Sequence, residues 1–249
     1  MRDAELSRYS RHILLDDIGI EGQDRINAAR VLVIGAGGLA SPTVLYLAAA
    51  GVGTLTLVDD DVVDLTNLQR QIMHDSASVG SPKVLSAQNS AARINPLTRL
   101  VALQQRADAA LLETHVPQAD VVLDCTDNFT TRHAINAACV RHRVPLVSGA
   151  AVQFDGQISV FDPRASDCPC YACAFPPASA PDPVACATMG VFAPVVGVIG
   201  CMQAAQALMV VGGFGVPLSG TLLMLDGRSM EWTRIGLPRD PRCSVCAGR

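Results

Sequence analysis

A glycine-rich turn stands between an apolar run and a segment of helix-like composition. The motif Gly35-Ala36-Gly37-Gly38-Leu39-Ala40 fits G-x-G-x-x-A and follows the run "RVLVIG". Glycines at such a turn let the backbone approach phosphate groups at the N-terminus of the next helix. Asp59 ends the following apolar run, where its carboxylate suits a ribose hydroxyl. The pattern predicts a site for NAD or ATP, and its strand–turn–helix context disfavours the alternative of a turn without a ligand.

Charged residues further along the chain decide between the two nucleotides. Arg70 lies in "TNLQRQ" (66 to 71), Lys83 lies at the start of a predicted helix, and Asp127 and Asn128 follow the apolar run "DVVLDC". Open α/β sheets bind ligands at the carboxyl ends of their strands. Two cations and a carboxylate there suit a triphosphate with bound Mg²⁺, whereas a nicotinamide ring needs neutral surroundings. Each charge alone is more often a solvated surface group, but together they favour ATP.

Four cysteines form two C-x-x-C pairs, one in the middle of the chain and one near its end. They are Cys170 with Cys173, and Cys243 with Cys246. Four thiolates in two such pairs make a closed tetrahedral site, which is typical of structural zinc. The distance between the pairs exceeds that of a short zinc ribbon, so a redox pair or chance spacing stays an alternative. Zinc here would hold the C-terminal tail against the segment around residue 170.

The other five cysteines have weaker signals. Cys168 is an alternative zinc ligand that ranks below Cys170, because the latter completes the C-x-x-C spacing. Cys186 lies in "VACATMG", and a loop thiol can act as a nucleophile when a neighbour favours the thiolate. Because no His or Lys stands beside Cys186 in sequence, an idle or buried thiol is equally plausible. Apolar neighbours predict that the remaining three are core residues: Cys125, Cys139 and Cys201.

Composition excludes some classes of function. The chain has 249 residues, of which 49% are apolar and 17% charged, and its formal net charge is −4. An acidic pI near 5.7 gives no electrostatic footprint for nucleic acid. The charged start "MRDAELSRYSRHILLDD" does not resemble a secretory leader, so we expect a cytoplasmic protein with reduced cysteines.

One apolar segment is long enough to span a membrane. It is "VFAPVVGVIGCMQAAQALMVV", residues 191 to 211. Proline, glycines and two glutamines interrupt it, and no Lys or Arg flanks it, so we favour a helix buried in the core or in an oligomer interface. The protein is therefore not expected to be an integral membrane protein.

Strand-like and helix-like segments alternate along the first half of the chain. The strands "RVLVIG", "TLTLVD", "DVVLDCTD" and "VPLVSGA" predict an α/β fold with a Rossmann-like, mostly parallel central sheet and helices on both faces. Later, "AVQFDGQISVFD" predicts a hairpin that turns at Asp155-Gly156, and "TLLMLDG" and "EWTRIG" predict two more strands. Residues 162 to 189 read as a long mobile crossover. We predict one domain over 1–249, with a helical arm at 1–30, a nucleotide-binding half at 31–150 and a partner-binding half at 151–249.

These motifs together resemble the ThiF/MoeB/HesA family of ubiquitin-activating-enzyme-like adenylyltransferases. The resemblance covers nearly the whole chain and rests on "RYSRHILLDDIGIEGQ", "GAGGLA", "VDDDVVDLTNLQRQ", "GSPK", "DCTDN", "GVFAPVVGVIG" and the cysteine pairs. It implies a homodimer that uses MgATP to adenylate the C-terminal glycine of a ubiquitin-fold sulfur carrier protein ending in Gly-Gly. A separate sulfur donor protein, acting in trans, then converts the acyl-adenylate to a thiocarboxylate.

The resemblance also implies a role for individual residues. The nucleotide would contact the glycine loop, the segment 66–70 and the charged residues beyond it: Gly35, Gly37, Gly38, Asp59, Thr66, Asn67, Leu68, Gln69, Arg70, Lys83, Asp127 and Asn128. Asp127 would be the acid linked to Mg²⁺, and Arg11 would reach into the partner subunit's site. Cys170, Cys173, Cys243 and Cys246 would hold Zn²⁺, and Cys186 matches the cysteine linked to sulfur transfer in the thiamine branch.

The branch of the family and two other functions stay open at this level. "LLDDIGIEGQ", "CAT" and "LDGRSMEW" favour a thiamine-type carrier, whereas "VPLVSGAAVQFDGQISVF" favours a molybdopterin-type carrier. Ala40 stands where the family's loop commonly ends in glycine, a change that the fold should tolerate. An NAD-dependent oxidoreductase would account for the glycine loop and Asp59 only. A non-catalytic zinc scaffold that binds a ubiquitin-like protein would not need Arg70, Lys83 and Asp127.

Overall fold

Eight strands form one mixed sheet in the computed structural model, which describes residues 1–177 and 190–248. The strands are β1 Arg30–Ile34, β2 Thr54–Val58, β3 Arg99–Leu103, β4 Val121–Asp124, β5 Leu146–Val152, β6 Asp155–Phe161, β7 Thr221–Asp226 and β8 Glu231–Gly236. Their order across the sheet is β3-β2-β1-β4-β5-β6-β7-β8. The first five in this order are parallel and the last three join antiparallel, as the sequence predicts.

Helices cover both faces of this sheet. They are α1 Asp3–Arg8, α2 Ser10–Ile13, α3 Gly19–Ala28, α4 Ala40–Ala49, α5 Lys83–Ile94, α6 Ala109–His115, α7 Phe129–His142, α8 Tyr171–Ala174 and α9 Ala193–Gly212. Short 3₁₀ turns lie at Leu65–Asn67, Ser76–Ser78 and Val116–Gln118. The predicted division of the chain at residues 30 and 150 stays a prediction.

Side chains along β1 point alternately to the two faces of the sheet, and each face packs against its own apolar core. Val31 and Val33 belong to one apolar cluster, with residues of α3, α4, α5 and α9. Leu32 and Ile34 belong to a second cluster, with residues of α6 and α7. Successive side chains of a strand point to opposite faces, so a strand apolar at every position must be buried on both sides. The run "RVLVIG" thus specifies a central strand.

The long apolar helix α9 lies against the sheet. By length and composition alone it is the one helix among the described residues that could cross a membrane, and half of its most apolar window is buried inside the protein. Val196, Ile199 and Ala204 pack into the core on the α4 side. Gln203 is fully buried, and its amide nitrogen donates to the carbonyl of Asp124 at the end of β4 (2.8 Å). These contacts support the interpretation of α9 as a core helix.

Two details differ from the sequence prediction. The strand β3 has no counterpart among the predicted strands. The β5–β6 hairpin turns at Gln153 and Phe154, not at Asp155-Gly156, because Asp155 pairs with Val152 in the ladder. Gly156 has another reason to be glycine, since a Cβ there would lie 2.7 Å from Ile199 Cδ1 on α9. The glycine marks a close approach of helix and strand, which a sequence pattern does not distinguish from a turn.

The crossing of α9 over the start of α4 gives a stability prediction. A Cβ on Gly200 would overlap the backbone carbonyl of Leu39, whereas a Cβ on Gly197 would meet nothing within 4 Å. We expect Gly200→Ala to lower the free energy of unfolding by about 1–3 kcal/mol through overpacking. Gly197→Ala should be neutral or up to about 1 kcal/mol stabilising, because alanine is the better helix former. Urea unfolding of both variants measures the difference, and equal midpoints would contradict the close crossing.

Candidate nucleotide site and metal centre

A cavity of about 810 Å³ opens at the carboxyl ends of β1, β2 and β4. This volume falls within the range of roughly 300–1,000 Å³ that small-molecule sites occupy. The sheet order reverses between β1 and β4, which is where open α/β sheets bind ligands. The wall of the cavity contains eight of the predicted nucleotide residues: Gly35, Gly37, Gly38, Asp59, Arg70, Lys83, Asp127 and Asn128.

The glycine loop forms the floor of the cavity at the end of β1. Gly35 has a positive φ of 95°, and a Cβ there would lie 2.8 Å from the carbonyl oxygen of Cys125. A Cβ on Gly38 would lie 2.8 Å from Val196 of α9. Both positions therefore exclude side chains for steric reasons. Because these glycines carry no side chains, the loop fits between the Cys125 backbone and α9. Its glycines line the cavity, where a ligand can contact the backbone.

Asp59 joins the glycine loop to the end of β2. Its Oδ2 accepts the backbone N–H of Ala36 (2.6 Å) and its Oδ1 accepts the N–H of Asp61 (2.8 Å). Burial raises the pKa of the Asp59 carboxyl above its usual value, and the two backbone hydrogen bonds offset only part of this effect. The carboxyl group thus lines the cavity from a half-buried position.

The two predicted cations approach the cavity from different segments. Lys83 is the first residue of α5; its side chain is buried, and Nζ pairs with Asp61 at 2.8 Å. The Asp61 side chain is 68% exposed, so this pair adds little to stability. Among the described residues, Arg70 Nη1 makes one long hydrogen bond, to the Thr66 carbonyl (3.4 Å). Both cations are held near the cavity by weak contacts that an anionic ligand can replace.

A buried ion pair lies beneath the loop that follows β4. Arg132 of α7 donates to the carbonyls of Thr126 and Gly149, and its Nε lies 3.8 Å from the fully buried Asp124. Burial acts to lower the pKa of Arg132, but the Asp124 carboxylate, together with the smaller effects of Tyr171 and Asp127, raises it overall. Asn128 begins α7, where its Oδ1 accepts the N–H of Thr131 (2.9 Å). The loop that carries Asp127 is thereby fixed at both ends.

Sequence reasoning missed Arg132 and several residues of the cavity wall. Gln105, Arg106 and Ala107 line the cavity after β3, the strand that the sequence analysis did not predict. Gln71 also lines it, and its buried Oε1 has no hydrogen-bond partner among the described residues. Gln71 directly follows Arg70 in "TNLQRQ", so its position beside a predicted phosphate ligand was an available signal.

Other predicted residues do not line the cavity. Thr66, Asn67, Leu68 and Gln69 lie outside its wall in the part of the chain that the structure describes, in and after the 3₁₀ turn at Leu65–Asn67. Arg11 is exposed on α2 and also lies outside the wall. Cys186 falls outside the described residues.

The four cysteines of the C-x-x-C pairs come together near α7. Their sulfurs all lie within 4.8 Å of one another, and the shortest separations are 3.9 Å (Cys170–Cys173), 3.7 Å (Cys170–Cys243) and 3.4 Å (Cys173–Cys246). A tetrahedron with zinc about 2.3 Å from each thiolate has sulfur–sulfur edges of roughly 3.8 Å. The donor set and its dimensions therefore fit a structural Zn²⁺.

The remaining described cysteines play other parts. Cys168 is not in the cluster; its sulfur accepts the backbone N–H of Asp162 at 3.3 Å. This position supports the ranking of Cys170 above Cys168, which stays a prediction. Cys125 and Cys139 are buried core residues as predicted, and Cys201 is half-buried. Burial raises the pKa of the Cys125 and Cys139 thiols, so neither is a thiolate at neutral pH.

These features define a class of protein: an α/β fold with a nucleotide cavity at a glycine loop and a four-cysteine metal centre. The chain belongs to the ThiF family, whose family model matches residues 9–245. Together with the names of its relatives, this makes the chain a nucleotidyltransferase.

Curated relatives match over nearly the full chain. The sulfur carrier protein ThiS adenylyltransferase of Escherichia coli is 47% identical over 248 residues, which cover 100% of this chain and 98% of that protein. The molybdopterin-synthase adenylyltransferase of E. coli is 43% identical, with 99% and 98% covered. The sulfur carrier protein adenylyltransferase of Thermus thermophilus is 42% identical, with 97% and 91% covered.

Solved structures support the fold. E. coli MccB crystallised with ATP has a TM-score of 0.83 at 24% identity, covering 96% of this chain and 74% of that one. MccB with MccA-N7isoASN has a TM-score of 0.85, also at 24% identity, with 96% and 74% covered.

The position of Asp59 gives a pH prediction. Because its pKa is raised in the folded protein, its contribution to stability is present at low pH and is lost as pH rises through that raised value. Asp59→Asn removes this dependence. The free energy of unfolding of the variant, relative to the parental protein, should therefore increase between about pH 4 and pH 7. Urea unfolding at several pH values measures the difference, with the exposed Asp60→Asn as control; a flat or falling difference would contradict the assignment.

The cysteine cluster gives a metal prediction. The purified protein should contain about one zinc per chain. Cys243→Ser should lose most of it, because three thiolates leave an open and weaker site. Cys168→Ser, which changes a buried cysteine outside the cluster, should retain it. Elemental analysis after dialysis decides, and equal zinc content in the two variants would rule out the four-cysteine site.

Proposed function

We propose that this protein uses MgATP to adenylylate the C-terminal glycine carboxylate of a ubiquitin-fold sulfur carrier protein. The observation that carries the proposal is the convergence of Arg70, Lys83 and Asp127 on one cavity beside the glycine loop. The names of the E. coli and T. thermophilus relatives support the carrier as the substrate.

The chemistry requires charge stabilisation more than proton transfer. A carboxylate is already ionised at neutral pH, so it can attack the α-phosphorus of ATP without a general base. Pyrophosphate leaves with the electrons of the broken P–O bond, and the new anhydride is the acyl-adenylate. The barrier lies in bringing two anions together and in stabilising the charge that develops on the leaving group. Arg70 and Lys83, two of the cations that line the cavity, would perform that task.

Each part of the cavity then has a role in binding. The Gly35–Gly38 backbone would face the phosphates, and Asp59 would accept the ribose hydroxyls. Asp127 offers a carboxylate oxygen of the kind that Mg²⁺ prefers, and the ion would supply neutralisation of phosphate charge. Thr66, Asn67, Leu68 and Gln69 would contact the nucleotide from beside the wall, with Asn128 at the start of α7. Asp61 must release Lys83 when the triphosphate enters.

A homodimer would complete the site. Arg11 is exposed on its own subunit, away from the cavity. In a dimer it would reach the partner's cavity as a third cation. Exposed apolar side chains near it, including Leu14, Leu15 and Ile20, support a subunit contact in this region.

The later step would form a thiocarboxylate on the carrier, with sulfur from a separate donor protein. Higher identity to the ThiS adenylyltransferase than to the molybdopterin-synthase adenylyltransferase, 47% against 43%, slightly supports a thiamine-type carrier. Cys186 would be the cysteine engaged in sulfur transfer.

Loss of either cation should slow adenylation strongly. We expect Arg70→Ala and Lys83→Ala each to lower the rate by about 10²-fold or more, the scale for one preorganised charge stabiliser. The measurement is exchange of labelled pyrophosphate into ATP, run with thiamine-type and molybdopterin-type carriers and with carriers that lack the terminal Gly-Gly. Arg141→Ala is the matched control, since Arg141 pairs with Glu113 on the surface. Parental exchange rates in either cation variant would contradict its role.

A further inference from the structure

His74 lies directly beneath the glycine loop, although no motif marks it. The side chain is 6% exposed. Its Nε2 lies 3.0 Å from the carbonyl oxygen of Ala36, and its Nδ1 lies 2.9 Å from Ser86 Oγ on α5. A carbonyl oxygen can only accept a hydrogen bond, so Nε2 carries the proton in the bond to Ala36. In the neutral ring, Nδ1 is then the acceptor, and the Ser86 hydroxyl donates to it.

The neutral ring is the form that this environment favours. Burial lowers the pKa of His74, and the nearby Lys83 acts in the same direction. Hydrogen bonding to Ala36 and the Asp59 and Asp75 carboxylates oppose this, but burial is the larger effect. The ring therefore holds a defined tautomer whose N–H points at one atom of the loop.

That single bond fixes the direction of the next peptide N–H. Peptide bonds in this chain are all trans where the structure describes them, so the Ala36 carbonyl and the Gly37 N–H point in opposite directions across one plane. With the carbonyl directed down to His74, the Gly37 N–H is directed away from it, and Gly37 lines the cavity. The preceding peptide is also held, because the Ala36 N–H donates to Asp59.

Glycines on both sides of Ala36 make such a restraint necessary. Gly35, Gly37 and Gly38 have few steric limits on φ and ψ, so the Ala36–Gly37 peptide could rotate at low cost. The rotated peptide would present a carbonyl oxygen, not an N–H, to a bound phosphate. A phosphate at a glycine loop depends on donors, and an acceptor in that place would repel it.

We propose that His74 is a positioning residue that keeps the Gly37 N–H directed at the phosphates of the bound nucleotide. The inference rests on the proposed function, because it assumes that the cavity binds ATP. It predicts that His74 affects binding of the triphosphate and not of the nucleoside, and the two can be measured separately.

The test compares three variants with the parental protein. His74→Leu removes the donor to Ala36, and His74→Gln keeps an N–H near the Nε2 position. Ser90→Ala is the matched control, since it removes a buried hydrogen bond to the carbonyl of Met73 (2.7 Å), next to His74, and leaves Ala36 untouched. For each protein we would measure the dissociation constant for MgATP by titration and the inhibition of pyrophosphate exchange by adenosine.

We expect His74→Leu to bind MgATP about tenfold more weakly, as for loss of one useful hydrogen bond, with adenosine inhibition changed by no more than about twofold. His74→Gln should stay within about threefold of the parental protein for MgATP, and Ser90→Ala should match it. Parental MgATP binding in His74→Leu would overturn the inference. So would an equal loss of adenosine and MgATP, or a loss in Ser90→Ala as large as in His74→Leu.

Two further measurements keep the inference separate from folding and from the proposed function. ¹⁵N NMR of the parental imidazole should show the proton on Nε2 of His74, and a proton on Nδ1 in the neutral ring would overturn the inference even if His74→Leu does not fold. If the parental protein binds no MgATP, the proposed function fails. If it binds MgATP and the variants show none of the expected differences, only the role of His74 fails.

Discussion

The hydrogen bond from the Ala36 N–H to the Asp59 carboxylate is the interaction on which the nucleotide site depends. It joins the turn after β1 to the end of β2. The bond thereby fixes the position of a backbone suited to phosphates relative to a carboxylate suited to a ribose. Placing Asp59 there has a cost, because burial raises the pKa of its carboxyl and the hydrogen bond from Ala36 offsets only part of this effect. Carboxyl groups whose pKa is shifted in a cleft cluster at functional sites, so this cost points to function.

The charged side chains of the cavity wall distinguish a protein that consumes ATP from one that uses NAD as a hydride carrier. The cavity wall contains Arg70 and Lys83 as well as Asp127, and the buried Lys83 pairs with the exposed Asp61. Cations in such a position are favourable where phosphate charge must be neutralised and unfavourable beside a neutral ring. The oxidoreductase hypothesis therefore explains the glycine loop and Asp59, but it does not explain Arg70, Lys83 and Asp127.

Local motifs predicted the parts of the structure whose geometry is local. The glycine loop and each C-x-x-C pair carry their spacing in nearby residues, and Asp59 follows at the end of the next strand. The glycine loop and Asp59 line the cavity, and the two cysteine pairs meet in one cluster. The strand β3 was missed because its five residues, "RLVAL", gain their identity from pairing with β2. His74 was missed because its partner Ala36 lies 38 residues away in the sequence. Arg132 was missed because its partners are a core carboxylate and two backbone carbonyls, at Asp124, Thr126 and Gly149, which no motif marks. Gly156 looked like a turn because a close helix contact leaves the same mark on the sequence.

Helix α7 connects the two sites that the sequence analysis treated separately. Its first turn is capped by Asn128 at the nucleotide cavity, and Arg132 holds the loop before it. One turn further on, Asn136 accepts the backbone N–H of Tyr171 (2.9 Å) and its amide lies 3.7 Å from the sulfur of Cys170. A metal ligand whose neighbour is hydrogen-bonded in this way is held in orientation by the second residue. The cysteine cluster is therefore built onto the same helix that frames the cavity, and its cysteines anchor the C-terminal tail beside α7.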